Sequence, residues 1–198
     1  MHPEVADFPS RQFYKGKLCP IPLPHQEATI SLPRIAFYDC VPDALELGHS
    51  PKGNPAEARL IARLSVEEYE RFVAQNGAFD PHKDLGIIVP YRRQIALVRK
   101  ALLQSAHSEL AEVTIDTVER FQGSECNTII YGFTVTRASQ LAFLCSTQFE
   151  DECGQWVDRK LNVALTRARE RMLIVGHRPL LERVPLFREL IDFCESAH

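Results

Sequence analysis

Short, continuous apolar runs separated by longer helix-like segments are the feature that most constrains the fold of this chain. The runs at residues 34–40 (RIAFYDC), 85–89 (LGIIV), 127–135 (NTIIYGFTV) and 172–175 do not alternate with polar residues, and a further strand is predicted at 112–117. Continuous apolar strands are typical of parallel sheets that are covered on both faces. Because helical segments lie between them, the pattern predicts an α/β fold with a mostly parallel central sheet and helices on both faces.

The clearest helix signal is the start of the segment that follows the first strand. Asn54 is a favourable N-cap, Pro55 takes the first helical position, Glu57 follows three residues after the cap, and Gly77 ends the helix. A second helix is predicted at 91–105, directly after a buried strand. Its free amides would therefore lie at the edge of the sheet where that strand ends.

The distribution of proline divides the chain into two parts. Nine of the 13 prolines fall in the first 55 residues, and Pro20, Pro22, Pro24 and Pro33 exclude a long helix there. Residues 1–33 are therefore predicted to form an irregular N-terminal arm packed on the domain. Residues 34–198 are predicted to form that domain, which closes with a final helix from Pro179.

Composition limits the classes of function. The formal net charge of −3 is not typical of a protein that binds nucleic acid through a global basic field, so such binding would need a local basic strip. No apolar run approaches the roughly 20 residues of a membrane span. The six cysteines form no C-x-x-C pair and the seven histidines are scattered, which predicts reduced thiols, no metal site and a cytoplasmic location, or a nuclear one in a eukaryote.

The most informative stretch is 159–169 (RKLNVALTRAR), which is predicted to be a helix because it contains neither Gly nor Pro. Its apolar residues recur at helical spacing, and Arg167 lies off that stripe. A rigid helix could thus present the Arg167 guanidinium to a phosphate, with which it can bond bidentately. An ordinary amphipathic helix with solvated arginines remains the alternative from spacing alone. The apolar stripe comprises Leu161, Ala164, Leu165 and Ala168.

Two turns are candidate ligand contacts. In residues 117–125 (TVERFQGSE), Gly123 allows close backbone approach, Glu125 could accept hydrogen bonds from ribose hydroxyls, and Thr117 could bond a phosphate. In residues 89–94 (VPYRRQ), a strand ends and a helix begins beside two arginines, which suits an anion or a nucleic-acid backbone. The alternatives are an ordinary turn with a solvated acid and a solvated helix start. The turns after Val89, Thr117 and Val135 should share the carboxyl edge of the sheet.

Two features of a complete nucleotide site are missing from the sequence. It contains no G-x-x-x-x-G-K-[ST] loop to wrap a triphosphate, and no acidic pair follows an apolar strand in the manner of a magnesium site. The chain therefore carries candidate contacts for a nucleotide but is predicted not to hold one well by itself.

Four motifs in order resemble one family. Residues 161–169 (LNVALTRAR) are similar to motif VI of superfamily 1 helicases of the nonsense-mediated-decay type, and residues 117–125 are similar to their motif V. Residues 88–94 resemble a T-P-Y-x-x-Q segment, with Val89 in place of Thr, and residues 54–58 (NPAEA) match the N-x-x-E-A helix start. Residues 1–18 resemble the end of motif IV and the F-Y-x-G-x-L that follows it, so the resemblance implies that the chain begins inside motif IV.

The resemblance implies the second of two RecA-like domains, with ATP and Mg²⁺ bound in the cleft shared with an N-terminal RecA-like domain of the same protein. Carried over by position, Arg167 would be the catalytic arginine finger on the γ-phosphate. The nucleotide-binding residues would be Gln122, Gly123 and Glu125. The residues that face single-stranded DNA or RNA would be Pro90, Tyr91, Arg92 and Thr117.

Two hypotheses about function follow. The first is the C-terminal motor domain of an ATP-dependent DNA or RNA helicase, inactive in isolation because the phosphate-loop and magnesium motifs are absent. The second is a non-catalytic, stand-alone module that binds nucleic acid or a partner protein. Neither hypothesis involves a membrane.

Overall fold

The central feature of the fold is a parallel β-sheet. The computed structural model describes residues 1–19, 32–43, 52–121 and 123–196. Within these residues, five strands form one sheet, and every neighbouring pair is parallel. The strands are β1 (Ile35–Asp39), β2 (Leu85–Ile88), β3 (Thr114–Asp116), β4 (Cys126–Gly132) and β7 (Ala168–Gly176). Their spatial order is β1-β7-β4-β2-β3, and the predicted parallel α/β sheet is confirmed.

Helices cover both faces of this sheet. The helices are α1 (Pro3–Tyr14), α2 (Pro55–Asn76), α3 (Arg92–Leu102), α4 (Leu141–Leu144), α5 (Arg159–Leu165), α6 (Arg178–Leu181) and α7 (Pro185–Ser196). Side chains that alternate along β4 enter two separate cores: Ile129 and Tyr131 pack with α1, α5 and α7, whereas Ile130 packs with α2 and α3. The predicted three-layer arrangement is therefore confirmed. None of the described helices is long and apolar enough to cross a membrane.

The caps predicted for α2 are present. The Asn54 side chain accepts a hydrogen bond from the Glu57 amide, Pro55 is the first helical residue, and Gly77 ends the helix in the left-handed region at φ 71°. A residue with a β-carbon is strained at that φ, so glycine suits this position. Local sequence therefore determines both ends of this helix.

The predicted irregular arm is wrong over Pro3–Tyr14, which form α1. Pro20, Pro22, Pro24 and Pro33 lie beyond this segment, and Pro3 occupies the first helical turn, where no amide hydrogen is needed. Pro9 does lie inside the helix, so α1 forms despite an interior proline. His2 caps the helix by accepting a hydrogen bond from the Glu4 amide. Val5 and Phe8 are buried in the core beside the sheet, so tertiary packing stabilises a helix that the local composition did not indicate.

The predicted helix over 159–169 is also wrong in its second half. α5 ends at Leu165, Thr166 and Arg167 form a turn, and Ala168 begins β7. Ala168 pairs with Cys126 of β4, and the Cys126 amide donates to the Arg167 carbonyl at 3.1 Å. Helix propensity is a weak preference, and the pairing with β4 overrides it here. Arg167 is therefore held at a helix-to-strand turn and not on a helix face.

Two further elements differ from the sequence prediction. The final helix is divided into α6 and α7, and α7 begins at Pro185, which cannot continue a helix but can start one. Residues 136–155, which carried no structural prediction, contain α4 and the strand β5 (Gln148–Glu150). This strand pairs antiparallel with β6 (Trp156–Asp158) to form a hairpin. All six cysteines lie in the described residues and are free thiols.

Candidate functional site

The parallel sheet separates the predicted site residues into two groups. Pro90 lies two residues after the end of β2 and Thr117 directly after the end of β3, so the turns that carry them share the carboxyl edge of the sheet. Gly123 and Glu125 lie just before β4, and Arg167 lies just before β7, so these three residues are at the opposite, amino edge. The candidate nucleotide contacts and the candidate strand contacts are thus at opposite ends of the strands.

Arg167 is held in place by the helix that precedes it. Its Nε donates to the Val163 carbonyl at 3.1 Å, and one terminal nitrogen donates to Thr166 Oγ1 at 3.2 Å. The side chain is half-buried. Among the residues that the structure describes, no carboxylate lies within ion-pair distance of it. A guanidinium has five N–H donors, so most of this one's donors and its whole charge are available to an anion.

A salt bridge lies beside Arg167 at the amino edge. Arg169 contacts Glu125 at 3.0 Å, with 37% and 56% of the two side chains exposed. The Arg169 carbonyl accepts from the His2 amide at 2.6 Å, which brings the N-terminus to this edge. Exposed ion pairs contribute only about 0–1 kcal/mol, so Glu125 can exchange this partner for a ligand at little cost.

Of the two remaining nucleotide candidates, Gly123 lies just before Glu125 and β4. Gly123 has a φ of 88°, and a β-carbon there would contact nothing within 4 Å. The glycine is therefore required by backbone conformation, and the space beside it is open. Gln122 lies outside the described residues. No group of three or more His, Cys, Asp or Glu side chains in the described ranges is arranged to hold a metal ion.

The carboxyl edge carries polar, cationic and aromatic groups. The Thr117 amide donates to Asp116 Oδ1 at 2.8 Å, and Arg92 is exposed in the first turn of α3. Lys160 and Glu119 form an ion pair at 2.9 Å. The hydrogen bond from Lys160 is the main cause that holds the pKa of Glu119 below its ordinary value. This edge therefore presents cationic side-chain donors to a ligand, whereas the Thr117 amide is already bonded to Asp116.

Aromatic rings complete the same edge. The Tyr91 and Phe143 rings are stacked, with centroids 5.1 Å apart and planes inclined by 27°. Tyr91 occupies the N-cap position of α3, but its side chain makes no capping hydrogen bond. Pro90, which precedes it, is half-buried. Phe143 lies in α4, so this stacking joins the turn after β2 to the segment that the sequence left unassigned.

A buried polar network that sequence reasoning missed supports the carboxyl edge. Glu57 is fully buried and accepts from the Thr134 amide and from Thr134 Oγ1, each at 2.8 Å, and from Gln94 Nε2 at 3.2 Å. Gln94 Oε1 in turn accepts from the Asn54 amide at 2.8 Å. The network joins the starts of α2 and α3 to the segment after β4. Burial is the main cause that raises the pKa of Glu57 to about 7, and the hydrogen bonds oppose that rise.

The sequence signal for Glu57 was its place three residues after the cap of α2. The Asn54 side-chain oxygen accepts a hydrogen bond from the Glu57 amide at 3.1 Å. The Glu57 carboxylate, however, points inward to Thr134. Thr134 adopts a left-handed φ of 54°, which aims its amide at that carboxylate. A conformation of this kind is uncommon for a residue with a β-carbon, and no local pattern in the sequence predicted it.

A second buried network docks α2 on the sheet. Glu68 forms ion pairs with Arg171 of β7 and with Arg71, the latter at 2.8 Å, and it accepts from Thr128 Oγ1 of β4 at 2.8 Å. The Glu68, Arg71 and Arg171 side chains are each less than a tenth exposed. Because an unpaired buried charge is costly, these groups specify where α2 lies on the sheet.

A five-stranded parallel sheet between two helical layers, with these motifs at its edges, is a RecA-like α/β domain of the kind found in superfamily 1 helicases. The model of the AAA domain family matches residues 1–179. The chain belongs to this family. Its further assignment to the nonsense-mediated-decay type stays a prediction.

Relatives among known proteins include several helicases. The chain is 29% identical over 211 residues to the probable helicase MAGATAMA 3 of Arabidopsis thaliana, a match that covers 100% of this chain and 24% of that protein. It is 28% identical over 202 residues to helicase SEN1 of Saccharomyces cerevisiae, covering 97% and 8%. It is 28% identical over 219 residues to the 3'-5' exoribonuclease HELZ2 of Mus musculus, covering 100% and 7%. The chain thus spans less than a quarter of the length of each.

One solved structure of similar length is the C-terminal domain of a possible DNA helicase from Lactobacillus. It has a TM-score of 0.48 and 17% sequence identity, and the match covers 95% of this chain and 91% of that one. A likeness of this degree carries no argument of its own. The assignment of the fold depends on the strand order and the layers described above.

Proposed function

We propose that this domain is the second motor domain of an ATP-dependent helicase and that Arg167 is its arginine finger. The observation that carries the proposal is the state of Arg167: a half-buried guanidinium, oriented by the Val163 carbonyl, with no carboxylate partner among the described residues. An arginine of this kind stabilises the charge that develops on a transferred phosphoryl group and is worth roughly 10³–10⁵ in rate.

The rest of the nucleotide site fits the same ligand. Glu125 is an exposed carboxylate that could accept hydrogen bonds from ribose hydroxyls, and Gly123 leaves open space beside it. Gln122 remains a candidate from the sequence resemblance alone. Because the sequence contains no phosphate loop, the triphosphate and Mg²⁺ would be held by another RecA-like domain, and Arg167 would reach them when the two domains close.

The strand contacts are proposed for the opposite edge of the sheet. Pro90, Tyr91, Arg92 and Thr117 follow the carboxyl ends of two neighbouring strands. Exposed cations and free amides at a helix start are suited to the phosphates of single-stranded DNA or RNA. ATP hydrolysis at the amino edge and strand binding at the carboxyl edge would be linked by closure of the two domains. Repeated closing and opening would then move the strand.

The test uses a polypeptide that joins this domain to a phosphate-loop domain. Arg167→Ala should lower strand-stimulated ATP hydrolysis by about a thousandfold or more while ATP binding largely survives. Arg167→Lys should restore little, because an ammonium cannot form the bidentate contact. Arg63→Ala is a matched control, because Arg63 is exposed and paired only with Glu67 on α2 among the described residues. Undiminished hydrolysis by Arg167→Ala would refute the assignment.

A further inference from the structure

Phe143 is an exposed aromatic residue at the carboxyl edge that has no assigned role, and it lies against Tyr91, a half-buried proposed strand contact. We call the stacked rings of Tyr91 and Phe143 the aromatic shelf. The Phe143 side chain is 46% exposed even though its ring stacks on Tyr91. Burial of a phenylalanine is favourable, so a ring that the fold holds this far open is available to a ligand that provides an apolar face.

The shelf is held rigidly from below. Gln140, one residue before α4, is buried, and its side-chain oxygen accepts from the Thr136 amide at 2.7 Å and the Arg137 amide at 2.8 Å. Its side-chain nitrogen donates to the Thr134 carbonyl at 3.2 Å. Thr134 is itself bonded to the buried Glu57 carboxylate. A chain of buried and partly buried hydrogen bonds therefore fixes the segment that carries Phe143. A preorganised contact costs little entropy on binding.

One cation contacts the shelf, and two more lie on the helix that begins after Tyr91. The Lys160 ammonium lies 5.2 Å from the centroid of the Phe143 ring, within the range of a cation–π contact. Arg92 and Arg93 are exposed in the first turn of the helix that Tyr91 caps. Aromatic faces beside cations are the combination that recognises single-stranded nucleic acid, because bases stack on the rings while phosphates meet the cations.

We propose that the aromatic shelf is a base-stacking subsite and that Phe143 is the residue on which a base of the single strand stacks. This inference rests on the proposed function, because it adds a base contact to the phosphate contacts of the same edge. Lys160, which is 31% exposed and also paired with Glu119 at 2.9 Å, leaves both the ring and this exposed ion pair for the adjoining phosphate when the base arrives. Stacking tolerates every base because each one has a π-face, so the subsite supports binding without sequence preference.

The test measures binding by the chain itself. Fluorescence anisotropy is recorded with a labelled oligodeoxythymidylate of about 12 nucleotides, within the usual size of a single-strand site, and with an abasic strand of the same length. The unaltered chain should bind the base-containing strand more tightly than the abasic one. Phe143→Ala should weaken binding of the thymidylate at least about fivefold and leave abasic binding unchanged. The dependence of binding on salt should also stay unchanged, because the phosphate contacts remain.

Two further variants make the result specific. Phe149→Ala is the matched control. Phe149 is 41% exposed and also lies beside a cation, the Arg159 guanidinium at 5.1 Å, but it is on the β5–β6 hairpin and stacks on no other ring among the described residues. The Phe149→Ala variant should bind the thymidylate with the same affinity as the unaltered chain. Phe143→Trp, made together with Trp156→Phe so that one indole remains, should retain affinity. Its fluorescence should be quenched by the thymidylate and not by the abasic strand.

The outcomes separate this inference from the proposed function. If the chain binds both strands equally and Phe143→Ala binds as well as the unaltered chain, the shelf is refuted and the phosphate contacts stand. If Phe149→Ala weakens binding as much as Phe143→Ala, stacking is not located at the shelf, and the inference falls. If the chain binds neither strand, nor an oligouridylate of the same length, at salt concentrations near physiological, both the shelf and the proposed strand contacts are refuted.

Discussion

Glu57 offers the sharpest test of the buried network that supports the carboxyl edge. Its carboxyl is fully buried, and burial raises its pKa from 4.5 to about 7. Since the folded state holds this proton more tightly than the unfolded chain does, the contribution to stability is fully present below the ordinary pKa and is lost as pH rises through about 7. The full loss is about 3 kcal/mol, of which most falls between about pH 5 and pH 8.

Glu57→Gln removes the titrating group while it keeps a side-chain oxygen for the Thr134 amide. The variant should therefore lose this component of the pH dependence. Its new amide hydrogens face Gln94 Nε2, which also donates. One unsatisfied donor should cost about 1–3 kcal/mol at low pH. The variant is then less stable than the unaltered chain at about pH 5, and the difference shrinks or reverses by about pH 8.

The assay is urea unfolding followed by circular dichroism at constant ionic strength across this pH range. Other groups titrate as well, so the informative quantity is the difference between each variant and the unaltered chain. Glu67→Gln is the matched control, because Glu67 is on the same helix and its side chain is 57% exposed; it should preserve the original slope. If the free energy of unfolding of Glu57→Gln falls between about pH 5 and pH 8 by the same amount as that of the unaltered chain, to within about 1 kcal/mol, the reasoning is refuted. Glu57 would then not titrate as its burial requires.

Three more predictions follow from described contacts. Glu68→Gln leaves Arg171 buried without its carboxylate partner and should destabilise the domain by about 3–5 kcal/mol in urea unfolding; a loss below about 1 kcal/mol would contradict the network. Gly86→Ala places a β-carbon 2.6 Å from Phe121 Cζ and should cost about 1–3 kcal/mol through overpacking, seen as a lower Tm, whereas an unchanged Tm would show that the core adjusts freely. Glu125→Gln should change stability by less than about 1 kcal/mol because its ion pair is exposed, yet it should weaken ATP binding in a two-domain polypeptide; equal ATP affinity would remove Glu125 from the site.

The sequence by itself determined the features that depend on local chemistry. The apolar runs predicted the parallel sheet and its two helical layers, because a strand buried on both faces needs apolar residues throughout. Asn54, Pro55 and Gly77 determined both ends of α2. The motif resemblance indicated a superfamily 1 helicase domain, which the AAA-domain match and the helicase relatives confirm, whereas the nonsense-mediated-decay type stays a prediction.

Only the tertiary structure decided how those elements compete and combine. Arg167 leaves its predicted helix because β4 pairs with the residues that follow it, and α1 forms because Val5 and Phe8 find a core to fill. Glu57 turns away from its cap because Thr134, far along the chain, presents donors to it. Each outcome depends on partners distant in sequence, whose contacts outweigh local preferences of a few tenths of a kcal/mol to about 1 kcal/mol per residue.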